Sequence, residues 1–269
     1  MALGLRAMPE GARSIWAWQA DPRRFPATHG VFARNGGVSR PPFATLNLGL
    51  HTGDDAHAVV ANRKAALATL GLSLDHAVAA EQVHGERVAE VGASHRGMGA
   101  FEYASAVRGV DALITSAKGV ALFGYFADCL PVLISDRQGA WIGLAHAGWK
   151  GSVLGIASNA VRALKSRGVG AERLRVALGP CIGPCCYEVG DEVALAFQER
   201  YGDSVVKRTR SGKRSVDLTL ANTLALIAEG VAPDSIIQSR LCTACRTDLF
   251  FSHRVEGPQT GRIAAVIAL

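Results

Sequence analysis

Apolar residues fall in short runs, and the spacing within the runs changes along the chain. His29 to Arg34, Val78 to Gln82, Asp111 to Thr115, Val120 to Phe126, Val132 to Ser135, Trp141 to Ala145, Leu174 to Leu178, Ile236-Ile237 and Ile263 to Ala268 are compact and mostly rich in branched residues. Such runs, bounded by Gly, Pro and Asn, predict strands. Val88 to Val91 is placed as a hairpin partner of the 78–82 strand. Helical spacing appears after Asp55, an N-cap, with apolar positions at 59, 60, 66, 67 and 70. Ser152 to Ser166, Asp191 to about Tyr201 and Asp217 to Glu229 are further helices, each with a glycine close behind its end. Residues 92–109 are rich in Gly and Ala and predict a surface loop. Residues 1–27 form a loosely structured lead-in, with Trp16 and Trp18 as packing anchors. The expected architecture is a single α/β domain over residues 28–269, with a mixed β-sheet core flanked by helices. A doubly wound nucleotide-binding fold is disfavoured. No G-x-G-x-x-G follows a strand, and the strand run from 111 to 146 lacks crossover helices.

Composition narrows this picture. Hydrophobic residues make up 49% of the chain and 30 are glycines, which suits a globular protein with many tight turns and excludes extended disorder. The formal charge of +6 is densest over Lys207-Arg208-Thr-Arg210-Ser-Gly-Lys213-Arg214. Aromatics are not interleaved there, so the segment reads as a solvated hairpin or loop and not as a nucleic-acid site. A basic surface of this kind also suits an anionic small molecule such as phosphate. The N-terminus has no apolar stretch long enough for a signal peptide, and apolar runs elsewhere are strand-sized, so no membrane span is expected. With no export signal, the six cysteines are expected as reduced thiols in the cytoplasm.

Candidate chemistry sits where strands break. His84 ends one apolar run before Gly85, Asp128-Cys129 interrupts another before Leu130-Pro131, and His146 ends a third before Gly148. Two imidazoles and a thiolate suit Zn²⁺ and leave a fourth position for water or substrate. The competing reading is a thiol hydrolase with Cys129 as nucleophile, His146 as base and Asp128 or Asp111 orienting it. The plain alternative is a buried thiol beside turn histidines. Blue copper also uses two His and a Cys, but Met98 is the only Met beyond the lead-in, and no His-x-His pair exists for a multicopper cluster. His84-Gly-Glu86 mimics the H-x-E of zinc deaminases without their P-C-x-x-C. Cys181, Cys185 and Cys186 share one loop, and Cys242 and Cys245 form a C-x-x-C. Their spacing fits a structural zinc poorly, so buried thiols are expected. His253, Arg34, Asn47, Lys150 and Arg254 lie in polar-rich motifs and are candidates for proton transfer or phosphate binding.

Read in order, Arg34-Asn-Gly-Gly-Val-Ser39, Asn47-Leu-Gly-Leu-His51, Gln82-Val-His84-Gly, Ala127-Asp-Cys129-Leu-Pro, His146-Ala-Gly-Trp-Lys150-Gly, Gly179-Pro-Cys-Ile-Gly-Pro-Cys-Cys-Tyr-Glu-Val-Gly190 and Phe250-Phe-Ser-His-Arg254 resemble the YfiH/YlmD family of laccase-domain proteins. The resemblance spans about residues 28–269 and implies the family's own α/β fold, grouped with cytotoxic-necrotizing-factor-type cysteine hydrolases. It implies a metal site on His84, Cys129 and His146, usually zinc and in vitro also copper. It implies purine nucleoside phosphorolysis (adenosine, inosine, guanosine, methylthioadenosine) and adenosine deamination. Other implied roles are removal of L-Ser from a UDP-MurNAc peptidoglycan precursor and polyphenol oxidation; a non-enzymatic, metal-stabilised binding protein is a further alternative. His253, Arg34, Lys150, Arg254 and Asp128 are the expected catalytic or phosphate-binding residues. Lys150 stands where the family usually has Arg, which keeps the charge but loses bidentate phosphate binding. Phe126 replaces a common Thr or Ser.

Overall fold

The computed structural model describes residues 4–10, 13–209 and 211–269. Its strands in chain order are β1 (Leu5–Glu10), β2 (Arg13–Trp18), β3 (Thr28–Phe32), β4 (Ala77–Ala79), β5 (Val88–Glu90), β6 (Ala112–Thr115), β7 (Ala121–Phe126), β8 (Leu130–Asp136), β9 (Ile142–Ala147), β10 (Leu174–Leu178), β11 (Val206–Arg208), β12 (Arg214–Val216), β13 (Ile236–Gln238) and β14 (Ile263–Ala268). The helices are α1 (Ala56–Ala68), α2 (Trp149–Leu154), α3 (Ile156–Lys165), α4 (Asp191–Tyr201), α5 (Leu218–Ala228) and α6 (His253–Glu256). None is long and apolar enough to cross a membrane.

The strands build two large sheets, in the orders β1-β2-β3-β14-β7-β4 and β13-β10-β8-β9-β6-β5, with β11-β12 as a separate ribbon. Both sheets are mixed, because β4 runs parallel to β7, β5 to β6 and β10 to β13 among antiparallel neighbours. Period-two side-chain alternation explains why the sheets stack. On β14, Ile263, Ala265 and Ile267 enter the core between the sheets, while Ala264, Val266 and Ala268 face the core under α1. On β8, Leu130, Val132 and Ile134 face the helical core of α3 to α5, and Leu133 faces the other sheet. The result is four layers, α1, first sheet, second sheet and the remaining long helices. The strands β4, β6, β7, β8, β9 and β14 are buried along their whole length, which is why their apolar runs are continuous and not alternating.

Several expectations are revised. Part of the supposed lead-in is ordered sheet: β1 pairs with β2, and β2 pairs with β3. Val88–Glu90 is not the hairpin partner of the preceding strand; it lies parallel to β6 in the second sheet. The helix expected over 152–166 is two helices, because Gly155 takes a left-handed conformation at φ +91. The 92–109 segment holds short 3₁₀ turns at 93–95 and 103–105 and buries Ala100 and Ala106. The basic cluster is a hairpin, with Lys213 paired to Glu188 and Arg214 to Asp191; Arg210 lies outside the described residues.

Candidate metal centre and cavity

The chain passes from the first sheet to the second within Ala127-Asp128-Cys129, between β7 and β8. That crossing carries Cys129 to the mouth of the intersheet core. His146 lies on β9 opposite Pro131, on the face that points between the sheets, with its ring 5.4 Å from that of Phe126. His84 follows β4 of the first sheet and takes φ +60, a left-handed conformation that swings its ring back toward the crossing. The ligand atoms of His84, Cys129 and His146 lie within 4.8 Å of one another. Gly148 makes this approach possible, because a Cβ there would sit 2.9 Å from Cys129 Sγ and 3.0 Å from His84 Cδ2.

Asp111 organises the histidines. Its carboxylate accepts from His146 Nδ1 at 2.9 Å, from the backbone N–H of His84 at 2.9 Å, of Gly85 at 2.7 Å and of Val83 at 3.2 Å. Burial opposes its charge, but the His146 bond and these amides outweigh it and hold its pKa below the usual carboxylate range. With Nδ1–H committed to Asp111, His146 presents Nε2 to the centre, the arrangement that orients a metal-ligating histidine. Burial alone would raise the Cys129 thiol, yet His146 and His84 draw it down. Burial alone would lower His146, yet Cys129 and Asp111 raise it. These shifts favour a thiolate–imidazolium pair, whose imidazolium proton a cation entering the site would displace. Two imidazoles and a thiolate around one point, open on one side, fit a single zinc-like ion.

The centre forms the floor of a cavity of about 420 Å³, lined by His51, Gln82, Tyr103, Tyr125, Trp149 and Tyr187, with His253, Arg254 and Arg262 at its wall. That volume falls in the usual range for small-molecule sites. His253 and Arg254 were anticipated. Arg254 donates to the carbonyls of Glu188 at 2.8 Å and Cys186 at 3.4 Å, and its guanidinium lies 5.1 Å from the centre of the Tyr187 ring. Arg34 and Lys150 do not line the cavity. Arg34 binds Glu256 and the carbonyls of Thr247 and Ala44 and stacks on Phe251, while Lys150 is exposed over Trp149. Asp128 borders the cavity, but its carboxylate accepts from Thr243 at 2.6 Å, Ser252 at 2.8 Å and the Arg254 amide at 2.7 Å. Asn47 likewise holds the backbone, accepting from the amides of Gly49 and Arg262. Sequence reading missed Arg262, which lies against Gly49 where a Cβ would come within 2.8 Å of its side chain. A glycine inside the Asn47-Leu-Gly-Leu-His51 motif was the signal available. His51 has its pKa lowered by the surrounding protein and by the charges of Arg262 and Arg63.

The fold and site define a four-layer α/β protein with two histidines and a cysteine, a donor set able to hold a metal, beneath a cavity of small-molecule size. A family model described as "Multi-copper polyphenol oxidoreductase laccase" matches residues 28–269, and the chain belongs to that family. It is 42% identical over 90% of its length to purine nucleoside phosphorylase YlmD of Geobacillus stearothermophilus, covering 89% of that protein. It is 37% identical over 83% of its length to adenosine deaminase RL5 of an unknown prokaryotic organism, covering 86% of it. The crystal structure of YlmD from Geobacillus stearothermophilus superposes with a TM-score of 0.90 at 40% identity, over 98% of this chain and 99% of that one. The crystal structure of the hypothetical protein YfiH of Bacillus licheniformis does so at 0.91 and 35%, over 99% of each chain.

Proposed function

We propose that the chain is a zinc-dependent purine nucleoside phosphorylase that also deaminates adenosine, with His84, Cys129 and His146 as the metal ligands. The observation that carries this reading is the convergence of those three side chains on the floor of an aromatic cavity walled by arginines. The names of the relatives at 42% and 37% identity support the same two reactions. Bound zinc would supply Lewis acidity and water activation at this point.

The rest is the work of the chain's own residues. Trp149, Tyr187, Tyr103, Tyr125 and His51 give flat, partly apolar walls for a purine and a ribose. Arg254, with Arg262 in place of Arg34 and Lys150, supplies the cations that bind phosphate. In phosphorolysis a phosphate oxygen bonds to ribose C1′ as the bond from C1′ to the purine nitrogen breaks, and the leaving purine takes a proton. His253, exposed at the cavity wall, is placed to pass that proton. Asp128 positions the Arg254 segment through its amide and does not transfer protons. In deamination, in the same pocket, a water oxygen bonds to purine C6 as the bond from C6 to the exocyclic nitrogen breaks, and that nitrogen takes a proton and leaves as ammonia.

Metal-replete protein incubated with adenosine and phosphate is expected to release adenine and ribose 1-phosphate, and with adenosine alone to release inosine. Chelation should stop both, whereas a Cys129–His146 thiol hydrolase would be indifferent to it. Absence of purine turnover, with L-Ser released from the UDP-MurNAc precursor or a catechol oxidised only after copper loading, would replace this reading by the corresponding alternative.

A further inference from the structure

Away from the cavity floor, a second group of ligands converges that the proposed reaction does not use. Cys185, Cys186, Cys242 and Cys245 come from two loops, yet their sulfurs all lie within 4.8 Å of one another. Backbone pairing between the loops sets this up. Cys181 bridges to Cys242, the Cys181 amide donates to Leu241 O, and the Thr243 amide donates to Cys181 O at 3.0 Å. That pairing brings the C-x-x-C turn against Cys185-Cys186, and Gly183 N–H donates to Cys242 Sγ at 3.2 Å. Gly183 itself sits in the cleft, where a Cβ would lie 3.3 Å from Cys185 Sγ. The expectation of buried thiols holds for Cys181 and fails for the other four: Cys185 and Cys245 are exposed and Cys186 and Cys242 half-buried.

We propose that these four cysteines hold a second divalent cation, zinc, as a closed tetrahedral structural site. Four thiolates with no carboxylate or imidazole among them are a soft donor set that selects such an ion. With Zn–S bonds of about 2.3 Å, the edges of a tetrahedral site are about 3.8 Å. Cys245 Sγ lies 3.5 Å from Cys185 Sγ and 3.4 Å from Cys186 Sγ, close to such edges. A disulfide would use two of the sulfurs and leave the other two without a role, whereas one cation uses all four. Binding releases the thiol protons, and the Gly183 amide remains as the outer hydrogen bond that tunes the Cys242 ligand.

The site fastens one wall of the cavity. Tyr187 follows Cys186 directly, Arg254 donates to the carbonyls of Cys186 and Glu188, and Thr243, next to Cys242, donates to Asp128. This cation is independent of the purine reading, since it touches none of the residues assigned to that reaction.

The test is a metal count on the full chain purified with reductant. Wild type is expected to hold about two zinc ions per chain, and both Cys129→Ala and the double variant Cys242→Ser/Cys245→Ser about one. If the double variant does not fold, Cys129→Ala decides alone, because it leaves the four thiols intact. Loaded with one cobalt ion, it should show tetrahedral d–d bands with the intense charge transfer of a four-thiolate site. A wild-type count of one that falls to zero in Cys129→Ala would overturn the proposal. So would a Cys185–Cys245 or Cys186–Cys245 disulfide, mapped by mass spectrometry, in reduced and zinc-supplied protein.

Discussion

Asp111 is the residue on which the geometry of the metal centre turns, because one carboxylate fixes the His146 ring and the backbone that carries His84. Asp111→Asn is expected to weaken zinc binding about 10- to 100-fold, as loss of a ligand's outer hydrogen bond generally does, while the fold survives. Competition against a chromophoric chelator measures this; an unchanged affinity would remove Asp111 from the centre. The raised pKa of His146 gives a second expectation, whose sign follows from the proton that zinc must displace. Zinc affinity should climb with pH above neutrality and level off once the imidazole is deprotonated in the free protein. The meeting of His84, Cys129 and His146 was legible in the sequence, since each interrupts an apolar strand where a core would place none. Arg262 was not, because an arginine before a strand looks like any surface residue until the fold sets it against Gly49. The thiols of both loops were weighed together as a structural zinc and set aside on the C-x₃-C-C spacing, which does not show the backbone pairing that brings the loops together.

At the scale of elements, the short segments between strands do the positioning. The α6 helix carries His253 and Arg254 and is pinned by Glu256, which accepts from Arg34 at 2.7 Å, the Ser252 amide at 2.9 Å and Thr260 at 2.9 Å. Burial opposes the charge of Glu256, but the Ser252 amide and the Arg34 and Thr260 bonds outweigh it and lower its pKa from 4.5. A carboxylate lowered on folding stabilises fully above its unfolded value and loses that contribution as pH falls through the folded one. Urea unfolding of wild type should therefore lose stability as the pH falls below about 5, and Glu256→Gln should flatten that decline. Parallel curves for the two proteins would show that the carboxylate does not hold α6. Helix α1 has a comparable fixture in the fully buried Arg63, which donates to the carbonyls of Leu48, Gly99 and Ala100. Arg63→Leu strands these acceptors and is expected to cost about 3 kcal/mol or more in chemical denaturation. The elements were largely readable from apolar period and caps, including the Asp55 N-cap. Their partners were not, because nearness in sequence does not say which sheet a short strand joins; Val88–Glu90, half-exposed and parallel to β6, was assigned to the wrong neighbour for that reason.

For the whole molecule, the decisive fact is that the three proposed ligands belong to different sheets. His84 extends from the first, His146 lies on the second, and Cys129 sits in the crossing between them. A bound cation is thus a clasp across the open end of the intersheet core, and its binding energy is also stabilising energy for the stacked sheets. With free metal at about 100 times its dissociation constant, the native state gains about 2.7 kcal/mol. For a chain of this size that corresponds to a rise in Tm of roughly 5–11 °C. Hydrogen exchange separates this clasp from a merely local ligand. Stripping the metal by a chelator should raise exchange at residues 80–85 and 145–149 together, with 127–131 between them, because opening the mouth frees both sheet ends. The same experiment on Cys129→Ala should show the open pattern before chelation and little further change at those segments. Exchange that rises in one sheet alone would mean that the ion rests on one side of the mouth, and the claim that it joins the sheets would fail.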